Sequence, residues 1–215
     1  MAVATSRTSA SSCPSCRTVR TASRSRASRA RENPRDAGAS GLTDTLFPDL
    51  EAPGPRSSAV GFVVRTDGAA RGNPGPASLG AALYDLRRPD ARDPTAQPDA
   101  WISEYLGVQT NNVAEYTGVV RALNLAHELG AAEVHLLLDS KLIVEQLSGR
   151  WRVKDAKLIP LWTSARQRLA GFERWSAAHV PRAQNAVADS FANQAIDRVQ
   201  GGGPIVMVRR PGDVG

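Results

Sequence analysis

Four acidic residues lie where predicted strands or helices begin or end, so their side chains can meet across the fold. They are Asp67 in TDGAARGNPGP, Glu115 in TNNVAE, Asp139 in LLLDSK and Asp189 in NAVADSFANQA. Carboxylate oxygens are hard ligands that suit Mg²⁺ or Mn²⁺ better than Zn²⁺. If the four side chains meet, they form a site for divalent cations that needs no histidine.

Each acid also has an ordinary structural interpretation when it is taken alone. Asp67 precedes a glycine, as in a hairpin turn, and Glu115 follows Asn112 at the spacing of a helix capping box. Asp139 ends a predicted strand at the edge where α/β sheets bind ligands, but it could also cap the next helix. Asp189 would favour the dipole of its helix while remaining solvated. Taken singly, the four acids leave structure and function open.

Hydrophobic periodicity predicts one α/β domain over residues 58–198. Alternating apolar residues predict three consecutive strands, over 60–67, 79–86 and 101–108, that form an antiparallel meander. Helical spacing follows over 113–129, and Gly130 is placed to end that helix. The remaining pattern predicts a strand buried on both faces over 134–138, helices over 140–147 and 158–169, a strand over 172–180 and a helix over 186–199.

The two ends of the chain differ in composition from the predicted domain. Residues 1–57 contain nine Arg and five acidic residues, whereas residues 58–197 contain fifteen basic and fifteen acidic residues. This Arg- and Ser-rich segment predicts disorder, as does the glycine-rich segment 199–215. The N-terminal segment could bind phosphate non-specifically, act as an organelle transit peptide or have no role.

Two further features bear on class and location. Cys13 and Cys16 form a lone C-x-x-C, and a zinc ribbon needs a second pair, so we expect free thiols. No apolar run approaches the roughly 20 residues that span a bilayer. We expect a soluble, cytoplasmic monomer without a membrane partner, or an organellar protein if the N-terminal segment is a transit peptide.

The segments around the four acids match one family in order, across about residues 59–197. The chain resembles type 1 ribonuclease H. The matching motifs are Asp67-Gly68 with Gly72-Asn73-Pro74-Gly75, Thr110-Asn111-Asn112-x-x-Glu115, Asp139-Ser140, and Ala188-Asp189 with Ala192-Asn193.

The resemblance implies a ribonuclease H-like fold, a five-stranded mixed sheet in the order βββαβαβα with helices on both faces. It implies that the four acids converge as catalytic carboxylates and metal ligands. Two Mg²⁺ ions, or Mn²⁺ in their place, would support hydrolysis of the RNA strand of an RNA/DNA hybrid, giving 5′-phosphate and 3′-hydroxyl ends. It also assigns minor-groove contacts with the hybrid to positions such as Gly68, Asn73, Asn111 and Asn112, although turn and cap chemistry also suits these asparagines.

The sequence departs from the family pattern in two places. Many members carry a histidine in a glycine-containing loop before the last acid, but here residues 180–185 are short and His179 falls in the last predicted strand. Arg182 is the candidate substitute, because a guanidinium binds phosphate although it cannot act as a base at neutral pH. Trp151, Arg152 and Lys154 are either a reduced form of a basic handle that grips DNA in some relatives, or, for the tryptophan, core.

Three functions therefore remain open from the sequence. The main expectation is an endonuclease acting on RNA/DNA hybrids. A catalytically silent nucleic-acid-binding module is the second, and the presence of all four acids argues against it. A broader nuclease that also cuts double-stranded RNA is the third.

Overall fold

The computed structural model describes residues 60–213. The N-terminal segment predicted to be disordered, with Cys13 and Cys16, lies outside these residues. Within the described part, every helix is too short or too polar to cross a membrane.

Six strands and four α-helices form in the described residues, in the order βββαβααβαβ. The strands are β1 Gly61–Ala70, β2 Gly75–Asp85, β3 Ala100–Gln109, β4 Glu133–Leu138, β5 Arg174–His179 and β6 Val206–Arg209. The helices are α1 Asn111–Glu128, α2 Lys141–Leu147, α3 Leu158–Leu169 and α4 Ala186–Gln200, and a 3₁₀ turn, Arg182–Asn185, precedes α4. We call this last segment the 182–185 turn.

All six strands belong to one mixed sheet in the order β5-β4-β1-β2-β3-β6. The meander β1-β2-β3 is antiparallel, as predicted, and β4 and β5 run parallel to β1. The parallel strands β1 and β4 therefore have their carboxyl ends on the same side of the sheet. The segment after Leu138 lies on that side, beside the second half of β1.

Helices cover both faces of the sheet, as the resemblance implied. Helices α1, α2 and α3 pack on one face around a core that includes Val64, Leu83, Leu123, Leu136 and Leu147. Helix α4 packs on the other face, mainly over β1, β2 and β3. The smaller core beneath it includes Val63, Ala82, Tyr84 and Phe191.

Strand β4 was predicted to be buried on both faces, and that prediction is wrong. Val134, Leu136 and Leu138 are buried, but Glu133, His135 and Leu137 are only partly buried. Because α4 packs mainly over β1 to β3, it does not fully cover the face of β4 that carries Glu133, His135 and Leu137. The helix predicted before β4 ends as expected, with Gly130 at φ +74° just beyond it.

The predicted disorder of residues 199–215 is also wrong for the described part of that segment. Helix α4 continues to Gln200, and β6 pairs antiparallel with the edge of β3. The Arg198 guanidinium holds the segment between α4 and β6 against β3, because it donates hydrogen bonds to the backbone carbonyls of Pro204 and Ser103, each at 2.8 Å. A sixth strand is therefore added to the five that were expected.

Candidate active site

Asp67 lies within β1, not in a turn. It pairs with Gly80 of β2, and the strand continues to Ala70, so the hairpin-turn interpretation is wrong. Only 6% of Asp67 is exposed. Its Oδ1 accepts a hydrogen bond from the Gly68 amide at 2.9 Å.

Glu115 lies in the second turn of α1 and does not cap the helix. The N-cap is Thr110, whose Oγ1 accepts from the Val113 amide at 3.4 Å. The capping-box interpretation, which paired Glu115 with Asn112, is therefore wrong. Asn111 Nδ2 donates to Glu115 Oε1 at 2.6 Å and so orients this carboxylate.

Two glycines let the helices that carry acids touch the strands. A Cβ on Gly68 would lie 2.2 Å from the Glu115 amide nitrogen, so α1 contacts the β1 backbone next to Asp67. A Cβ on Gly80 would lie 2.0 Å from the Ala188 carbonyl oxygen, so α4 contacts β2 next to Asp189 in the same way. Gly68, which the resemblance assigned to substrate contact, thus has a packing requirement of its own.

Asp139 follows β4 directly and is held by Asn185. The side-chain nitrogen Nδ2 of Asn185 donates to Asp139 Oδ1 and to the Thr66 carbonyl, both at 2.9 Å. The N-cap residue of α2 is Ser140, so Asp139 does not cap that helix. Asn185 is fully buried and was not among the predicted site residues. Its place immediately before a helix has a routine capping interpretation, which concealed this role.

Asp189 lies in the first turn of α4 and is not simply a solvated surface residue. Its side chain is 29% exposed and forms an ion pair with Arg182, with 2.5 Å between Nη2 and Oδ1. Asn193, one turn later, donates to Asp189 Oδ2 at 3.0 Å. Asn193 belonged to the matched motif but had no predicted role.

A cavity of about 290 Å³ lies among these side chains. Its lining comprises Asp67, Gly68, Ala69, Ala70, Asn111, Glu115, Asp139, Arg182 and Asn193. Three of the four predicted carboxylates and Arg182 therefore border one space, and Asp189 joins it through its contacts with Arg182 and Asn193.

The remaining predicted residues lie at different distances from this cavity. Asn73 Oδ1 accepts from the Asn111 amide at 3.3 Å, which places it at the rim. Asn112 is exposed and does not line the cavity. His179 ends β5, as predicted, and its Nε2 lies 3.1 Å from the Asp139 carbonyl oxygen.

The electrostatics of the site favour cation binding. Burial, followed by repulsion from Asp139 and by the nearby Asp189 carboxyl, raises the pKa of Asp67 to about 8. Burial also raises the pKa of Glu115, and hydrogen bonds from Ser140 and Asn111 partly oppose that effect. The hydrogen bond with Asp189 raises the pKa of Arg182, which stays protonated. Near neutral pH, Asp67 therefore retains a proton that a bound cation would displace.

The donor set fits a hard divalent cation, but not a closed metal cage. Among residues 60–213, no three acidic, histidine or cysteine side chains cluster closely enough to hold an ion by themselves. Mg²⁺ typically binds through one or two carboxylates and completes its shell with water and substrate phosphate. Carboxylates spread around an open cavity meet that requirement.

Comparison with known proteins agrees with the sequence resemblance. A family model described as "Reverse transcriptase-like" matches residues 65–195. The crystal structure of RNase H1 from Halobacterium salinarum is 39% identical, with a TM-score of 0.58, over 64% of this chain and 98% of that one. The chain belongs to the type 1 ribonuclease H family. The predicted fold is thereby confirmed, with one strand more than expected.

Two other members of the family are also similar to this chain. The "Bifunctional protein Rv2228c" of Mycobacterium tuberculosis is 44% identical over 138 residues, which are 63% of this chain and 35% of that protein. The chain thus spans about a third of the length of this mycobacterial relative. LC11-RNase H1, solved in complex with an RNA/DNA hybrid, is 34% identical, with a TM-score of 0.58, over 65% of this chain and 99% of that one.

Proposed function

We propose that this ribonuclease H domain is a metal-dependent endoribonuclease that hydrolyses the RNA strand of RNA/DNA hybrids and leaves 5′-phosphate and 3′-hydroxyl ends. The observation that carries the proposal is the cavity bordered by Asp67, Glu115 and Asp139, with Asp189 held at its side by Arg182. Membership of the family, and the hybrid bound to LC11-RNase H1, support the choice of substrate.

The chemistry requires charge neutralisation that carboxylates alone cannot give. Bound Mg²⁺ or Mn²⁺, held by Asp67, Glu115, Asp139 and Asp189, would supply an activated water and stabilise the charge on the phosphate and the leaving oxygen. Asp67, which is protonated near neutral pH without metal, would release that proton when a cation binds. Asn185 and Asn111 keep Asp139 and Glu115 in place.

Recognition of the RNA strand is assigned to short polar groups beside the acids. RNA in a hybrid differs from DNA by its 2′-hydroxyls, which line a wide minor groove. Asn111 lines the cavity and Asn73 accepts a hydrogen bond from it at the rim, which supports assigning both to contacts with these hydroxyls. Gly68 lines the cavity and would contact the RNA through its backbone, and the exposed Asn112 would contact the groove farther from the acids.

Recognition of the DNA strand is assigned to the loop between α2 and α3. Trp151 is 47% exposed, so its alternative interpretation as a core residue is wrong. Arg152 and Lys154 are exposed next to it. An exposed aromatic ring beside two cations suits a nucleic-acid backbone, and we infer a reduced handle at this loop.

Replacing both handle cations, Arg152→Ala with Lys154→Ala, should weaken binding to hybrid at low salt. It should also reduce the slope of log K against log salt by about two, since each phosphate contact contributes about one. Arg150→Ala is the matched control, because Arg150 already pairs with Glu145 at 2.5 Å. Titrations with a catalytically inactive variant at several salt concentrations measure both slopes. An unchanged slope in the double variant would remove this loop from the interface.

Arg182→Ala should lower turnover more than His179→Ala. Arg182 lines the cavity and bonds Asp189, whereas His179 contacts only the backbone carbonyl of Asp139 in this region. The loss for Arg182→Ala should be about a hundredfold, the effect expected when one hydrogen-bond donor to the transition state is removed. Single-turnover cleavage of a labelled hybrid measures both variants, and the reverse ranking would assign the role of the missing loop histidine to His179.

Cleavage of an end-labelled RNA/DNA hybrid tests the function itself. RNA/RNA and DNA/DNA duplexes are run beside it in Mg²⁺, in Mn²⁺ and in EDTA. Hybrid-only, metal-dependent cleavage with 5′-phosphate products supports the proposal. Cleavage of RNA/RNA as well would widen the substrate class, and binding without any cleavage would leave a recognition module.

A further inference from the structure

Arg65 is a buried cation beside the candidate site. It lies on β1, two residues before Asp67, and is 1% exposed. Its Nη1 donates to the Gln184 carbonyl at 2.6 Å, and its Nη2 donates to the Arg92 carbonyl at 3.0 Å. Within residues 60–213, its Nε has no hydrogen-bond partner. Arg65 is therefore held by backbone carbonyls and forms no salt bridge in the described chain.

Burying this charge without a salt bridge costs folding free energy. Burial lowers the pKa of Arg65, which reflects the cost of taking its charge out of water. Because Arg65 forms no salt bridge in the described residues, only its hydrogen bonds to the two carbonyls offset this cost.

The two carbonyls that Arg65 contacts lie in different loops. Arg92 belongs to the connection between β2 and β3, and Gln184 belongs to the 182–185 turn. This turn carries Arg182, which pairs with Asp189, and ends at Asn185, which holds Asp139. By bonding the Gln184 carbonyl, Arg65 therefore holds the turn whose Arg182 and Asn185 contact two catalytic carboxylates.

We propose that Arg65 is a positioning residue: its guanidinium fixes the 182–185 turn against β1 and so sets Arg182 against Asp189 and Asn185 against Asp139. The planar guanidinium fork bonds the carbonyls of the two loops through two separate nitrogens, a geometry that a lysine ammonium, with all its donors on one nitrogen, does not reproduce. The inference rests on the proposed function and adds a residue to it that lies outside the cavity lining.

Arg65→Met and Arg65→Lys test the assignment in steady-state hydrolysis of the hybrid. Both variants should lose about tenfold in kcat with little change in KM, because misplaced catalytic groups slow the reaction without removing substrate contacts. Melting curves check that both variants remain folded. Arg198→Met is the matched control, since Arg198 also binds backbone carbonyls, at Pro204 and Ser103, but anchors β6. It should lower the melting temperature and leave kcat unchanged.

A double variant separates positioning from a general effect on the protein. If Arg65 acts partly through Arg182, the kcat loss of Arg65→Met combined with Arg182→Ala should be smaller than the product of the two single losses. Full multiplication of the losses, or wild-type kcat in either folded Arg65 variant, overturns the assignment.

Amide hydrogen exchange provides a readout that does not depend on activity. Amides of residues 182–185 should exchange faster in Arg65→Met than in wild type, while those of β6 stay unchanged. Unchanged exchange in the turn would overturn the anchoring even if wild type cleaves no hybrid. Absence of hybrid cleavage by wild type, with faster exchange in the variant, would instead reject the proposed function and retain the anchor.

Discussion

Asp139→Asn should abolish hydrolysis of the hybrid while the protein remains folded. Asp139 borders the cavity with Asp67 and Glu115, and its carboxylate would hold a cation that carries several kcal/mol of transition-state stabilisation, or about a thousandfold in rate. Asparagine is isosteric and still offers an oxygen to Asn185 Nδ2, which now lies 2.9 Å from Asp139 Oδ1. Single-turnover cleavage and a melting curve together measure the effect.

Asp197→Asn is the control for that substitution. Asp197 lies on α4, is exposed and pairs with Arg71 at 2.6 Å, away from the cavity. The substitution Asp197→Asn makes the same chemical change, aspartate to asparagine, on the helix that carries Asp189. Equal activity in the Asp139 and Asp197 variants would remove Asp139 from the catalytic set.

Without divalent cations, the protein should lose stability as the pH rises from about 4 to about 8. The pKa of Asp67 is about 8 in the folded protein, against about 3.9 in an unfolded chain. Between these values the folded state binds more protons than the unfolded state, so the free energy of unfolding falls with increasing pH. Asp67→Asn should flatten this dependence and raise the melting temperature at pH 8, because its buried side chain carries no charge.

Mg²⁺ should have the same flattening effect on the wild-type protein. A cation that binds only the folded state stabilises it, and at pH 8 it takes the place of the Asp67 proton. Melting temperatures at pH 5 and pH 8, with Mg²⁺ and with EDTA, test both statements. A melting temperature in EDTA that falls equally in wild type and Asp67→Asn between pH 5 and pH 8 would show that another group is responsible. A wild-type melting temperature that rises over this range would contradict the prediction.

Much of the fold follows from local patterns in the sequence. The meander, α1 and the last helix have clear periodicity, and each forms close to its predicted range. Strand β6 was missed because its four residues are largely exposed, and their pairing depends on Arg198 reaching Ser103, 95 residues away. The burial of β4 was overestimated because its apolar run does not reveal how far α4 extends.

The sequence predicted the residues of the candidate site less completely than it predicted the fold. The four acids came from a family resemblance, since each also has an ordinary local role. Three of those roles, the turn at Asp67 and the caps at Glu115 and Asp139, are wrong, and Asp189 is not simply solvated. Asn185 and Arg65 were missed because their partners are carbonyls and carboxylates from distant segments. One clue was available for Arg65, an arginine within the apolar run of β1, where a charge needs a reason.

Gly68 and Gly80 make the dimensions of the site independent of side-chain size. At each glycine a helix rests on the backbone of a strand, so no side chain acts as a spacer between the elements that carry Glu115, Asp67 and Asp189. Any larger residue at either glycine would push a helix away from the sheet and change the separation of the acids. Mutational sensitivity should therefore concentrate at these two small residues.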